Sequence, residues 1–319
     1  DLHLSIRRQR QMCIRDRHTV TMIAPKIGLY SADGPEYAGD LICGNLYDRL
    51  DEVIDDVDHA AEIVEPANLI RMALPSIPVF AIPSDSRGSF GAAARMTVCE
   101  IAKKYSCVLC GPGMTTSAGA MQVVSGLLEL DVPLILDADA LNCLAKIAID
   151  GIDSNPEMYR REQPLVMTPH YRELSRLVAG DEVNDLGTAI AAAQKVVWAA
   201  GSDNLVVIAK GPTTAICGVE RVLLPLSGPA SLATAGSGDV LAGILAGTLA
   251  TMRDEMDRWE LLYSYAVALH SYAGFAAATE YGEKSVIATD LIDLIGPAME
   301  LAAKDALEDL GIMDEGSDD

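Results

Sequence analysis

Short apolar runs rich in β-branched residues alternate along this chain with segments whose apolar positions recur every three or four residues. The runs at 19–24, 79–82, 107–110, 134–136, 165–167 and 205–209 predict strands, most of them too apolar to keep one face in water. Between and around them, 92–104, 118–130, 140–149, 171–179 and 186–200 carry helical spacing. Strand, helix, strand at such short intervals predicts parallel pairing through right-handed crossovers. The expected fold is α/β: a mostly parallel central sheet with helices on both faces, in a single domain. The last third departs from that rhythm, with 214–217 and 221–224 reading as a hairpin at a sheet edge and Ala-rich helices starting near Gly238, Trp259 and Thr289.

Ligands of such sheets gather beyond the carboxyl ends of the strands, so the residues that follow each run matter most. Gly111-Pro112-Gly113 follows the 107–110 run, and Asp137-Ala138-Asp139-Ala140-Leu141-Asn142 follows 134–136. Thr168-Pro169-His170 follows 165–167, and Lys210-Gly211 follows 205–209. Any one of these also reads as an ordinary strand end or helix cap. Together they predict that glycines, carboxylates, a histidine and a lysine share one rim. The sharpest element is Thr234-Ala235-Gly236-Ser237-Gly238-Asp239, directly ahead of the small and apolar Val240-Leu241-Ala242-Gly243-Ile244-Leu245. Glycines before a helix let several backbone N–H groups aim at one point, and the helix dipole adds positive charge there, so this turn is a candidate anion hole. Asp239, in the first turn, would be a carboxylate able to take a proton from a nearby hydroxyl; a plain helix cap is the competing reading.

Composition narrows the classes of partner. Half of the 319 residues are apolar and 5% aromatic, so the core must be built from Ala, Val, Leu, Ile and Met. Twenty-four basic against 46 acidic residues leave a formal charge of −22, which disfavours nucleic acid and anionic membrane surfaces as partners. The apolar stretch 261–278 is interrupted by Ser264, His270, Ser271 and three tyrosines, and reads as a buried helix, not a membrane span. Seven irregularly spaced cysteines read as reduced thiols and a cytoplasmic location. Cys107 and Cys110 lie three apart on a strand and face opposite ways, and the five histidines form no zinc motif, so no metal-ligating residues are expected. Thr116 stands where a dinucleotide fingerprint needs its third glycine, and Ala235 and Asp239 stand where a nucleophile elbow needs glycine. The cluster Asp55, Asp56 and Asp58 reads as a solvated helix face. Residues 1–17, with Arg7, Arg8, Arg10, Arg15 and Arg17, read as an extension foreign to the fold, 18–304 as the domain, and 305–319 as a solvated acidic tail.

In order and spacing, Gly111-Pro112-Gly113, Asp137-Ala138-Asp139-Ala140-Leu141-Asn142, Thr168-Pro169-His170 with Glu173, Lys210-Gly211 and Gly236-Ser237-Gly238-Asp239-Val240-Leu241-Ala242-Gly243 resemble the ADP- or ATP-dependent NAD(P)H-hydrate dehydratases of the ribokinase-like superfamily. The resemblance implies a lyase that repairs hydrated NADH and NADPH with ADP or ATP as co-substrate and Mg²⁺ as cofactor. It implies that Gly113, His170 and Asp239 contact the hydrated dinucleotide, and that Lys210, Gly211, Pro212, Thr213, Thr214 and Gly238 line the nucleotide site. Asp239 would be the catalytic base and the 236–239 turn the anion hole. A homotetramer and a partner NAD(P)H-hydrate epimerase are further implications. Three departures stand out. The Gly/Ala-rich strand and helix that open the family's fold are replaced by the Arg-rich stretch, and Gly91-Ala92-Ala93 comes too late to stand in for them. Tyr171 and Arg172 replace the family's Pro and Gly after the histidine, and Ala235 replaces the first Gly of the final turn. The alternatives are a small-molecule kinase of the same superfamily, which would phosphorylate a hydroxyl of a vitamin precursor, and a nucleotide-binding remnant without turnover.

Overall fold

The computed structural model describes residues 18–21, 40–43, 77–85, 88–148, 156–251 and 259–309. The chain divides into two compact units, Asp1–Ala94 and Arg95–Asp319. In the first unit, β1 (His18–Thr21) pairs in parallel with β2 (Asp40–Cys43), His18 opposite Asp40. The 79–82 run predicted as a strand forms none. Pro78 and Pro83 bracket it and supply no N–H at either end, and the only bridge nearby is the isolated pair Ser84↔Phe90. The Arg-rich residues 1–17, the rest of the first predicted strand at 22–24, the acidic cluster at 55–58 and the last ten residues, 310–319, lie outside the described residues.

The second unit carries a six-stranded sheet in the order β3 (Val108–Cys110), β4 (Leu134–Leu136), β5 (Leu165–Met167), β6 (Leu205–Ala209), β7 (Ala215–Cys217) and β8 (Val222–Leu223). Strands β3 to β6 are parallel, while β7 and β8 return as the antiparallel hairpin edge expected from the sequence. Leu134, Leu165 and Leu205 stand in register across the sheet, as do Ile135, Val166 and Val206. Because strand side chains alternate, these two rows face opposite ways, and all six are buried, which accounts for runs with no polar alternation.

Both faces of the sheet are therefore covered. Helices α1 (Ala94–Ala102), α2 (Ala118–Leu128), α3 (Ala138–Ile147), α4 (Tyr171–Leu177) and α5 (Leu186–Ala200) precede or connect the parallel strands. Crossovers that always step to the next strand in one direction keep their helices on one side of the sheet. The Ile135–Val166–Val206 side instead packs on α6 (Ser237–Thr251), α7 (Trp259–Tyr281), α8 (Ala288–Asp293) and α9 (Ile295–Asp309). The helix ends are locally encoded. Ser117 caps α2 by accepting from the Ala120 amide, Asp185 caps α5 by accepting from Thr188, and Gly201 closes α5 in the left-handed conformation at φ 57°. The helix expected from Thr289 is two helices, α8 and α9, and the second continues to Asp309, so 305–309 belong to a helix and not to the frayed tail expected there. No described helix is long and apolar enough to cross a membrane.

Candidate active site

The site forms where β4, β5 and β6 end and α6 begins. Asp137, directly after β4, is buried, 1% exposed, and its Oδ1 accepts the Lys210 ammonium at 2.5 Å and the Thr168 hydroxyl at 2.7 Å. Lys210 leaves β6 in register with His170: its N–H donates to the Pro169 carbonyl at 2.8 Å, and the two residues form an isolated parallel bridge. The same ammonium lies beside the glycine turn, since a Cβ on Gly238 would stand 3.1 Å from Lys210 Nζ. Lys210 thus joins the rim of the sheet to the start of α6. The predicted residues Lys210, Gly238, Asp239 and His170 converge, although they are drawn from three different strand ends and helix starts.

The turn itself has the form of an anion hole. Gly236 adopts φ +86°, open to glycine with little strain, and a Cβ there would meet the Ala288 side chain at 3.0 Å. Ser237 N–H is taken by the Thr234 carbonyl and Val240 N–H by the Gly236 carbonyl. Between them, the N–H groups of Gly238 and Asp239 have no acceptor among the described residues, as expected of a first helical turn. Asp239 occupies the third position of α6. Although its side chain reaches solvent, partial burial of the carboxyl and then the charge of Asp137 raise its pKa, while Lys210 opposes them. A carboxylate made more basic in this way is a better proton acceptor.

His170 is the N-cap of α4, and its Nδ1 accepts the amides of Arg172 and Glu173 at 3.1 and 3.2 Å. Glu173, buried beneath, closes a capping box by accepting the His170 amide at 2.9 Å. With Nδ1 an acceptor, the ring proton sits on Nε2, which lies 3.4 Å from Glu173 Oε1. Burial, then Lys210 and Arg176, lower the pKa of His170, so at neutral pH it offers a ligand only the Nε2–H. Gly113 lies in the loop after β3 at φ +69°. That loop is tied to the strand beside it: Gly111, at φ +136°, passes so close to the Asp137 carbonyl that no Cβ fits, and Thr115 N–H donates to Asp139 Oδ2 at 3.0 Å. Gly211 is covered by the ring of Tyr171, Thr213 accepts the Ser227 hydroxyl at 3.4 Å, and Pro212 and Thr214 complete the turn into β7.

Sequence reasoning assigned no individual role to Asp137, Thr168, Tyr171 or His270. The partner of Lys210 is 73 residues away and its motif alone could not name it. His270 showed only as a polar position in an apolar stretch; in the structure it is buried on α7 with Nε2 3.0 Å from the Ser237 carbonyl. One oxygen at the centre of the site stands out. Asp137 Oδ2 is buried and has no hydrogen-bond partner, an arrangement that costs free energy unless something else supplies positive charge.

Against known proteins, the profile of the family described as NAD(P)H-hydrate dehydratase matches residues 59–297, well over half of the chain. The chain belongs to that NAD(P)H-hydrate dehydratase family. The bifunctional NAD(P)H-hydrate repair enzyme Nnr of Salinibacter ruber is 37% identical over 232 residues, 70% of this chain and 39% of that protein. Its counterpart in Moorella thermoacetica is 31% identical over 231 residues, 71% of this chain and 41% of that protein. The chain therefore spans about two-fifths of the length of these relatives. Among solved structures, the ADP/ATP-dependent NAD(P)H-hydrate dehydratase of Bacillus subtilis, co-crystallised with ATP/Mg²⁺, shares 25% identity and a TM-score of 0.55 over 74% of this chain and 76% of that one. The α/β fold expected from the sequence, a mostly parallel sheet with helices on both faces, is the fold observed. The hydrate dehydratase match takes in every rim residue described above, from Gly111 to Asp239.

Proposed function

We propose that the chain removes water from hydrated NADH and NADPH, using ADP or ATP as phosphoryl donor, through a domain spanning 18–304. The observation that carries this reading is the first turn of α6, where two uncommitted amides, of Gly238 and Asp239, sit beside a carboxylate of raised pKa and the Lys210 ammonium. Hydroxide is a poor leaving group. Transfer of the terminal phosphoryl group to the ring hydroxyl, with the hydroxyl proton passing to Asp239, turns it into a phosphate ester. The lone pair of the ring nitrogen then expels inorganic phosphate, and loss of a proton from the adjacent ring carbon restores the double bond. The amides of Gly238 and Asp239 would hold the transferring phosphoryl oxygens in a geometry set before the ligand arrives. His170 Nε2–H and the Gly113 loop would orient the substrate, and the segment Lys210, Gly211, Pro212, Thr213 and Thr214 the nucleotide.

The residues present suit a magnesium ion. Asp137 Oδ2 is an orphaned buried carboxylate oxygen and Asp239 is a second carboxylate, whose pKa the charge of Asp137 helps to raise; together they make a donor set of the kind that holds hydrated Mg²⁺ jointly with nucleotide phosphates. When bound, the ion would supply charge neutralisation for those phosphates. The working assembly is proposed to be a homotetramer served by an epimerase that interconverts the two hydrate forms. The test is direct: purified protein is mixed with hydrated NADH, Mg²⁺ and ADP or ATP. Growth of NADH absorbance with matching release of phosphate is expected. Accumulation of a stable phosphorylated alcohol would instead identify a kinase, and nucleotide binding without turnover a non-catalytic module.

A further inference from the structure

His270 has no part in the scheme above, yet it is buried in the core, on the middle of α7 where that helix packs against α6. Its Nε2 lies 3.0 Å from the Ser237 carbonyl oxygen and 3.1 Å from Ser237 Oγ. A carbonyl cannot donate, so Nε2 must carry the hydrogen, and both Ser237 oxygens are placed to accept it. Ser237 is buried, opens α6, and is followed at once by the two residues whose amides stay uncommitted. A single N–H from a neighbouring helix therefore grips the residue that sets the direction of the next two N–H groups. Burial keeps the ring neutral, pushing its pKa down to about 4 although the bond to Ser237 opposes this, and the charge of Lys210 acts in the same sense as burial.

We propose that His270 is a positioning residue for the anion-binding turn, fixing Ser237 so that the Gly238 and Asp239 amides stay aimed at the phosphoryl group. This rests on the phosphoryl-transfer reading of that turn. The test compares His270→Leu with His270→Gln, whose side-chain amide can reach the place of Nε2. Three readouts are taken: ADP affinity by calorimetry, kcat and KM with hydrated NADH, and hydrogen exchange at the Val240 amide, which donates to Gly236 at 3.1 Å. His270→Leu is expected to weaken ADP binding and lower kcat by about tenfold each and to speed Val240 exchange, with KM for the hydrate little changed and exchange in α5 unchanged; His270→Gln is expected to recover most of each loss. Wild-type ADP affinity, kcat and Val240 exchange in a folded His270→Leu would overturn the proposal, as would a His270→Gln variant no better than His270→Leu. Should wild-type protein neither bind ADP nor turn over the hydrate, the dehydratase reading fails by itself, and the Val240 exchange in the two variants still decides whether His270 positions the turn.

Discussion

Asp239 takes its character from its surroundings: partial burial and the charge of Asp137 raise its proton affinity, and Lys210 restrains it. Asp239→Asn keeps the size of the side chain and both backbone amides, so ADP binding is expected to persist while kcat falls by at least about 10²-fold, the usual loss when a general base is removed. Steady-state rates beside a calorimetric titration check this, and undiminished turnover would take Asp239 out of the chemistry. Glycines of this chain divide sharply at the same scale. Gly111 combines φ +136° with a carbonyl where its Cβ would go, whereas Gly247 lies inside α6 with nothing within 4 Å of a Cβ. Gly111→Ala is expected to cost about 3 kcal/mol or more, and Gly247→Ala to add about 0.5–1 kcal/mol, in urea unfolding. A chain in which both substitutions have the same sign would contradict the backbone conformation described for the loop after β3. The motif letters alone named most of these residues. They could not name the bond between Lys210 and Asp137, because contacts across 73 residues leave no local trace.

Elements were legible where their ends are fixed locally. The stretch 186–200 is read from the sequence to its last residue because Asp185 and Gly201 cap it, and the hairpin of β7 and β8 from the apolar runs that form it. The 79–82 run misleads for the opposite reason: apolar content describes a strand's surface, but a strand exists only where a partner offers a ladder, and two prolines frame this one. Helix α4 shows one residue serving two levels of structure. His170 caps it through Nδ1, while its Nε2 lies 3.4 Å from Glu173 Oε1 on a side chain that reaches solvent. Asparagine is a good cap but has no atom at the Nε2 position, so His170→Asn is expected to change stability by less than about 1 kcal/mol while raising KM for the hydrate several-fold. Equal KM values with an unchanged melting temperature would leave His170 as a cap alone.

Over the whole molecule, buried titrating groups tie stability to pH. His270 has a folded pKa of about 4 against an ordinary 6.5, so between those values the unfolded chain binds more protons. The stability due to its neutral form is complete above about pH 6.5 and is lost as the pH falls toward 4, by about 3 kcal/mol in all. His170 acts in the same direction, and the raised pKa values of Glu173 and Asp239 act against it, favouring the folded chain as they protonate. Replacing His270 by Gln is therefore expected to flatten the urea midpoint profile between pH 6.5 and 4, and identical slopes for the two proteins would exclude His270 as their source. The ion pair of Lys210 with Asp137 bears on the same scale, in a chain whose formal charge is −22. The lysine most able to attract a polyphosphate is already balanced by its own neighbour, so stray chloride or orthophosphate meets a repelling exterior and a neutralised interior. If the site takes a nucleotide as proposed, admission would then depend on a ligand arriving with its own counterion, favouring metal-escorted nucleotides over bare anions.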